Sequence, residues 1–259
     1  MKSIILAAGT GTRLMPLTKD KPKCMVELCG KPLLQYQLNA LQNAEIKDIT
    51  AVAGYKSDQI TIKNINIIRN EKFASTNMVS TLFVAEHIMD ANQGLIISYG
   101  DIVYESDVIR DLLCCEAPVC VVVDKGWEAY WRLRMDDPLK DAETLKIDQC
   151  GRIIELGKKP NSLEEIQGQY IGLIKIRMDH VQKLKNVYHE MDKTADYDGK
   201  NFDNMYMTSF LQHLIDIGWY VKPVFINHGW LEIDTVDDLS LYHKMHMQGR
   251  LAKLINLSK

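Results

Sequence analysis

What the 259-residue chain lacks narrows its chemistry before any motif is weighed. Its six cysteines, Cys24, Cys29, Cys114, Cys115, Cys120 and Cys150, include no C-x-x-C pair, so neither a zinc knuckle nor a dithiol redox centre is expected. Seven histidines form no H-E-x-x-H pair and no triad-like grouping, and His243 and His246 read as residues on a helix surface. No stretch approaches the roughly eighteen consecutive apolar residues of a transmembrane helix. The N-terminus runs straight into a strand without the regions of a signal peptide, and a reducing cytoplasm is the expected setting. A formal net charge of −3, with no dense block of lysine and arginine, argues against nucleic acid or a membrane surface as partner. No glycine-, serine- or proline-rich linker divides the chain, so residues 1–259 are read as one domain. A hydrophobic share of 46% against 25% charged residues fits a globular fold with a sizeable core.

What is present is concentrated near the start. Ile4-Ile5-Leu6 reads as a buried strand, and the turn Ala7-Ala8-Gly9-Thr10-Gly11-Thr12 after it can bring backbone N–H groups up to an anion. The spacing satisfies neither G-x-G-x-x-G nor G-x-x-x-x-G-K-[ST], which sets aside the dinucleotide and P-loop readings. Arg13 offers a planar fork of donors for phosphate oxygens, and Lys23 is a compact cation suited to charge that builds up during transfer. Together these residues suit a triphosphate. The plainer alternative is a glycine turn that only closes a strand onto a helix.

Further along, apolar spacing predicts a helix from Leu33 through Leu41, strands over 49–53, 65–69 and 95–99, and a helix over 78–89. Strands follow over 117–123, 168–176 and 219–226, with a hairpin over 144–156 about Cys150-Gly151. Helices are expected over 178–191 and 205–217, and a last one from Asp237 toward Leu257. Residues 192–204 read as a polar lid or linker, and Trp127 to Arg134 as a recognition loop of rings and guanidinium groups. Such alternation implies a mostly parallel sheet whose ligands bind beyond the carboxyl ends of the strands. Asp101, after Gly100, and Asp234, two positions after Glu232, place carboxylates behind apolar strands.

Leu6-Ala7-Ala8-Gly9-Thr10-Gly11-Thr12-Arg13-Leu14-Met15-Pro16-Leu17-Thr18, followed by Lys21-Pro22-Lys23 and Gly30-Lys31-Pro32-Leu33, resembles the signature of the sugar-phosphate nucleotidyltransferase superfamily. The resemblance implies an α/β fold, Rossmann-like and three-layered, with a mostly parallel central sheet and inserted hairpins at the acceptor site. It implies that the turn from Leu6 to Thr12 wraps the nucleotide, that Arg13 binds its β- and γ-phosphates, and that Lys23 lies by the α-phosphate. Lys158, or alternatively Lys159, would touch the substrate phosphate. Asp101 and Asp234 match metal positions, with Mg²⁺ as the implied cofactor. The run Asn77-Met78-Val79-Ser80-Thr81-Leu82 resembles a segment near the base in phosphocholine and aminoalkylphosphonate cytidylyltransferases, which favours CTP and assigns Asn77, Ser80 and Gly100 to the nucleotide.

The stretch from Trp131 to Lys146 most resembles the phosphoglutamine branch of these cytidylyltransferases, which serves capsular phosphoramidate synthesis. On that basis Trp131, Arg132, Arg134, Glu143, Gly172 and Tyr206 are the expected acceptor residues. The forks of Arg132 and Arg134 are expected to grip an acceptor carboxylate, whereas an aromatic cage of Trp127, Tyr130 and Trp131 would suit phosphocholine. The partners are then CTP and a small phosphorylated acceptor whose own phosphate is the nucleophile, so no triad is required. Sugar-1-phosphate uridylyl or thymidylyl transfer, and a nucleotide-sensing subunit without turnover, are the alternatives.

Overall fold

The alternation of strands and helices is present in the computed structural model, which describes residues 1–258. Seven strands form one sheet: β1 (Lys2–Ala7), β2 (Asp48–Ala53), β3 (Asn66–Arg69), β4 (Leu95–Tyr99), β5 (Val119–Asp124), β6 (Gln169–Ile176) and β7 (Val221–Ile226). Their order is β7-β5-β6-β4-β1-β2-β3, parallel throughout except for β6, which runs antiparallel to both β4 and β5. Strands β1, β4 and β5 are buried on both faces, which is why they read as unbroken apolar runs.

Seven helices cover the sheet: α1 (Leu33–Asn43), α2 (Met78–Val84), α3 (Ser106–Cys114), α4 (Trp127–Arg134), α5 (Met178–Glu190), α6 (Met207–Asp216) and α7 (Val236–Met247). Successive side chains of a strand point to opposite faces, and β1 divides the core accordingly. Ile5 and Ala7 share a cluster with Leu38 of α1, Ile109 of α3, Tyr130 of α4 and Tyr242 of α7. Ile4 and Leu6 share the other with Leu82 of α2, Leu184 of α5 and Phe210 of α6. The result is the expected three layers. Among the described residues no helix is long and apolar enough to cross a membrane, and all six cysteines are free thiols.

Several local readings change. Trp127 to Arg134 is not a loop but helix α4, because Trp127, Tyr130 and Trp131 fall on one stripe and sink into the core. Helix α3, behind Glu105, was not legible as a separate element. Helix α2 ends at Val84 and continues only as a tighter turn over Glu86–Ile88. The last helix stops at Met247, short of Leu257, where Gly249 adopts a φ of +67° that turns the chain away.

Among the described residues three small ribbons complete the frame, one of them Glu27–Leu28 paired antiparallel with Lys31–Pro32. Ile102–Tyr104 pairs antiparallel with Trp230–Glu232, and Ile233 N donates to Asp101 O at 3.0 Å. That pairing draws together two carboxylates from opposite ends of the chain, Asp101 just before one segment and Asp234 just after the other. The hairpin of Leu145–Ile147 and Ile153–Leu156 forms as expected, with Gly151 at a φ of +76° in its turn.

Candidate active site

The turn after β1 is shaped by close approaches. Gly11 sits at a φ of +64°, and a Cβ there would lie 3.0 Å from both Lys23 Cβ and Thr18 Cγ2. Thr18 Oγ1 donates to Gly11 O at 2.8 Å and fixes the far side of the loop. Gly100 presses against β1: its N donates to Leu6 O at 2.9 Å, and a Cβ would come within 2.6 Å of that same oxygen. A cleft of about 610 Å³ opens at this end of the sheet. Of the residues expected to meet a nucleotide, Leu6, Ala7, Ala8, Gly9, Asn77 and Gly100 line it, together with Lys23 and Asp101. Thr10, Gly11 and Thr12 do not; they form the outer wall of the turn.

At one end of this cleft lies a chain of alternating charges. Lys23 Nζ donates to Asp101 Oδ2 at 2.9 Å and to Asp234 Oδ1 at 2.8 Å, while the other oxygen of Asp234 pairs with Arg13 Nη1. Burial penalises the Lys23 ammonium, but Asp101 and Asp234 outweigh that and hold its pKa above the ordinary lysine value. Arg13 is 67% exposed and Lys23 only 15%, so the arginine is reachable from solvent while the lysine is enclosed by its two partners. Asp101 Oδ1 is buried with no hydrogen-bond partner. Among the described residues no group of three or more His, Cys, Asp and Glu side chains forms a ready metal cage. The donor set is therefore a pair of carboxylates bridged by an ammonium.

A second compartment of about 710 Å³ adjoins the first, and both are lined by Met78 and Tyr99. Trp131, Glu143, Gly172 and Tyr206 line it, as expected for the acceptor. Gly172, at a φ of +84° in the irregular middle of β6, admits the Tyr99 ring: a Cβ would lie 2.5 Å from it. Glu143 is held by its main chain, since its N donates to Gln169 Oε1 at 3.1 Å and Gln169 Nε2 donates to its O at 2.6 Å. Burial, with help from Asp141, Glu232 and Asp198, pushes the Glu143 carboxyl up to about 7.

The two arginines expected to grip an acceptor carboxylate do not face this compartment with a free fork. Arg132 lies on the exposed side of α4 and pairs with Glu128 at 2.8 Å, four residues back on the same helix. Arg134 points inward and is 3% exposed, but its guanidinium already binds Glu232 at 2.7 Å and both oxygens of Asp238, at 2.9 and 3.2 Å. Sequence reasoning missed those partners because they lie on a distant segment of the chain. Asp238 in turn accepts from Asp234 N at 3.0 Å and from Thr235 N at 2.9 Å, as part of the capping box that starts α7. Arg134 is thus tied to the backbone of a carboxylate at the centre of the site.

Other expected residues also take different positions. Lys158 lies on the hairpin, 53% exposed, with Nζ 3.6 Å from Glu155, and Lys159 Nζ donates to Leu139 O. Neither lysine lines either compartment. Ser80 donates to Asp203 O at 2.9 Å, and Asn77 Oδ1 caps α2 by accepting from Met78 N at 2.8 Å. Asn77 still lines the cleft; Ser80 serves to tie α2 to the segment over 192–204. Phe73, Thr76, Thr81, Asp141, Tyr170 and Glu232 line the two compartments without having been singled out. Thr76, directly before Asn77, and Thr81, four residues after it in α2, belong to a polar run of cap candidates able to meet a base, which was the local signal for them.

A glycine turn and two cations facing paired carboxylates, beside a second polar pocket, define a nucleotidyl-transfer site. Residues 3–165 match the MobA-like NTP transferase domain, and the chain belongs to that family of nucleotidyltransferases. The CTP:phosphoglutamine cytidylyltransferase of Campylobacter jejuni subsp. jejuni serotype O:2 is 46% identical to it over 252 residues, 93% of this chain and 98% of that protein. The choline-phosphate cytidylyltransferase of Streptococcus pneumoniae is 35% identical over 158 residues, 60% of this chain and 67% of the relative. A solved structure of CTP:phosphocholine cytidylyltransferase from Streptococcus pneumoniae shares the fold, with a TM-score of 0.67 over 95% of this chain and 98% of that one at 21% identity.

Proposed function

We propose that this chain, as one nucleotidyltransferase domain, transfers CMP from CTP to a small phosphorylated acceptor and releases pyrophosphate, with L-glutamine phosphate as the favoured acceptor. The observation that carries the reading is the placement of Lys23, bridged to Asp101 and Asp234 in the cleft whose neighbouring compartment shares Met78 and Tyr99. An acceptor phosphate oxygen attacks the α-phosphorus, the bond to the bridging oxygen of the β-phosphate breaks, and pyrophosphate carries away the electron pair. The nucleophile is ionised already, so positioning and charge neutralisation carry the barrier. On this reading Arg13, exposed at the edge of the turn, meets the β- and γ-phosphates and Lys23 the α-phosphate.

The residues also fit a divalent cation. Mg²⁺ takes one or two carboxylates plus phosphate oxygens and water, and here two carboxylates converge, one with an unpartnered buried oxygen. Asp101 and Asp234 would hold the ion, whose charge would offset that of the triphosphate. The turn and the capped start of α2 leave Thr76, Asn77 and Thr81 as candidates to read the base.

The rings of Trp131, Tyr170 and Tyr206 favour a second reading, in which the acceptor is phosphocholine. Pyrophosphate release from a grid of CTP, UTP, dTTP and ATP against L-glutamine phosphate, phosphocholine, 2-aminoethylphosphonate and glucose 1-phosphate tests both. Highest kcat/KM for CTP with L-glutamine phosphate is expected. Preference for UTP or dTTP with the sugar phosphate would replace this function with sugar-nucleotide synthesis, and no release with any pair would leave a nucleotide sensor.

A further inference from the structure

The acceptor compartment has one sign of charge. Asp141, Glu143 and Glu232 line it, and among the described residues no lysine or arginine does. Two of these carboxylates already have partners: Asp141 Oδ2 accepts from Trp131 Nε1 at 3.0 Å, and Glu232 is held by Arg134. The carboxylate of Glu143 accepts no hydrogen bond among the described residues, although its main chain is clamped on both sides by the buried amide of Gln169. The Tyr170 hydroxyl, in the same compartment, is buried beside the Tyr99 phenol. An unpartnered carboxylate, rigidly mounted among aromatic rings, is costly to keep unless something binds it.

We propose that Glu143 anchors a cationic nitrogen of the acceptor, so that the enzyme selects phosphorylated acceptors bearing a primary or quaternary ammonium. The proposal rests on the transfer reading above and replaces the expected grip on a carboxylate. The ammonium sits between the Glu143 carboxylate and the rings of Trp131 and Tyr170, with the acceptor phosphate directed toward Lys23 through the gap at Met78 and Tyr99. Aromatic faces and carboxylates attract the same cation by independent means. Burial and then Asp141 in its own segment, Glu232 on the ribbon and Asp198 in the segment over 192–204 raise the Glu143 carboxyl, and Glu143 in turn helps to raise the phenols of Tyr99 and Tyr170 that face it. Lys200, 5.4 Å from the Tyr206 ring centre, is the cation that the same segment brings to that side.

Matched acceptors test the proposal on the unaltered protein. L-Glutamine phosphate and 2-aminoethylphosphonate are compared with their N-acetyl derivatives, which keep the phosphorus group and lose the charge. Acetylation is expected to raise the acceptor KM roughly 10- to 100-fold, in line with loss of one charged hydrogen bond in a desolvated pocket. Glu143→Gln is expected to raise the KM of the free amines by a similar factor, leave the KM for CTP unchanged, and shrink the preference over the acetylated forms to about threefold or less. Glu143→Asp should restore part of it. Titration of Trp131 and Trp230 fluorescence with the same acceptors, without nucleotide, gives a readout free of turnover. Equal KM values for free and acetylated acceptors, or an undiminished preference in Glu143→Gln, would overturn the ammonium site while leaving transfer intact. Absence of turnover with a Glu143-dependent fluorescence preference would do the reverse.

Discussion

The two ends of the cleft are built in different ways. The proposed nucleotide end combines one contiguous stretch, in which a strand, a turn and Lys23 follow each other within the first 25 residues, with the start of α2, the end of β4 and Asp234, and its charges alternate in sign. The acceptor end is assembled from α4, the segment before the hairpin, β6, the start of α6 and the Trp230–Glu232 ribbon, and its charges are all negative. Where both cations and the turn share one stretch, local spacing specifies them. Where the charged groups come from separate segments, the fold specifies the site, and its charge balance cannot be counted from any one of them.

The largest effect should come from breaking the nucleotide end. Lys23→Ala is expected to lower kcat by about three orders of magnitude with the Kd for CTP within a few-fold of wild type, since this enclosed ammonium acts on charge that develops during transfer. Arg13→Ala, at an exposed position, should weaken CTP binding itself. Calorimetry with CTP, alongside single-turnover rates, separates the two. Equal losses of CTP affinity would mean that the two cations do one job.

Next in size is the carboxylate pair. Asp101→Asn and Asp234→Asn are each expected to lower kcat by about two orders of magnitude while the circular dichroism spectrum stays unchanged. Activity should fall with a chelator and return with Mg²⁺. Undiminished turnover in chelator would remove the metal from the scheme and leave Asp101 and Asp234 as partners of Lys23 alone.

At the acceptor end the two arginines of α4 should part company. Arg134→Met leaves Glu232 and Asp238 facing each other without their cation, and removing one partner of a buried pair costs about 3–5 kcal/mol. In a chain of this size that lowers Tm by roughly 2–4 °C per kcal/mol. It should also raise the acceptor KM and lower kcat, because Asp238 holds the backbone of Asp234. Arg132→Met removes only an exposed pair within one helix and should change Tm by less than about 1 °C, with kinetics unaltered. Thermal melts and initial rates on both variants decide. Comparable effects in the two would restore an acceptor role to Arg132.

The same contrast explains what was legible. Strand periodicity and the first motif located all seven sheet strands to within two residues at either end and brought Lys23, Asp101 and Asp234 to one end of the sheet, since βαβ alternation places strand ends there. β3 has no buried residue, yet its apolar spacing was still legible. α4 was misread because its two arginines and three large rings look like recognition chemistry in isolation. The rings are core, and the partners of Arg134 lie 98 and 104 residues away in the chain. Glu143 was picked out by resemblance alone, and nothing local indicates that Gln169 clamps it or that Asp141 and Glu232 face it.

The smallest effect separates the two ends by stability rather than rate. Glu143 has a folded pKa raised from 4.5 to about 7, first by burial and then by Asp141, Glu232 and Asp198, so folding favours its neutral form. The sign follows directly. A carboxyl whose pKa is higher in the folded protein adds stability below its unfolded value, and that contribution is lost as pH rises through the folded one. Glu143→Gln keeps the neutral shape at every pH, so its Tm should match wild type near pH 4.5 and exceed it by a few degrees at pH 8, at roughly 2–4 °C per kcal/mol. At the Lys23 end it is the charged form of the lysine that folding favours, because Asp101 and Asp234 outweigh its burial. Scanning fluorimetry of the two proteins across that pH range reads the difference. A Tm gap that does not change with pH would mean that the Glu143 carboxylate is solvated or paired in the free protein, and that the acidic end of the cleft carries no strain for an ammonium to relieve.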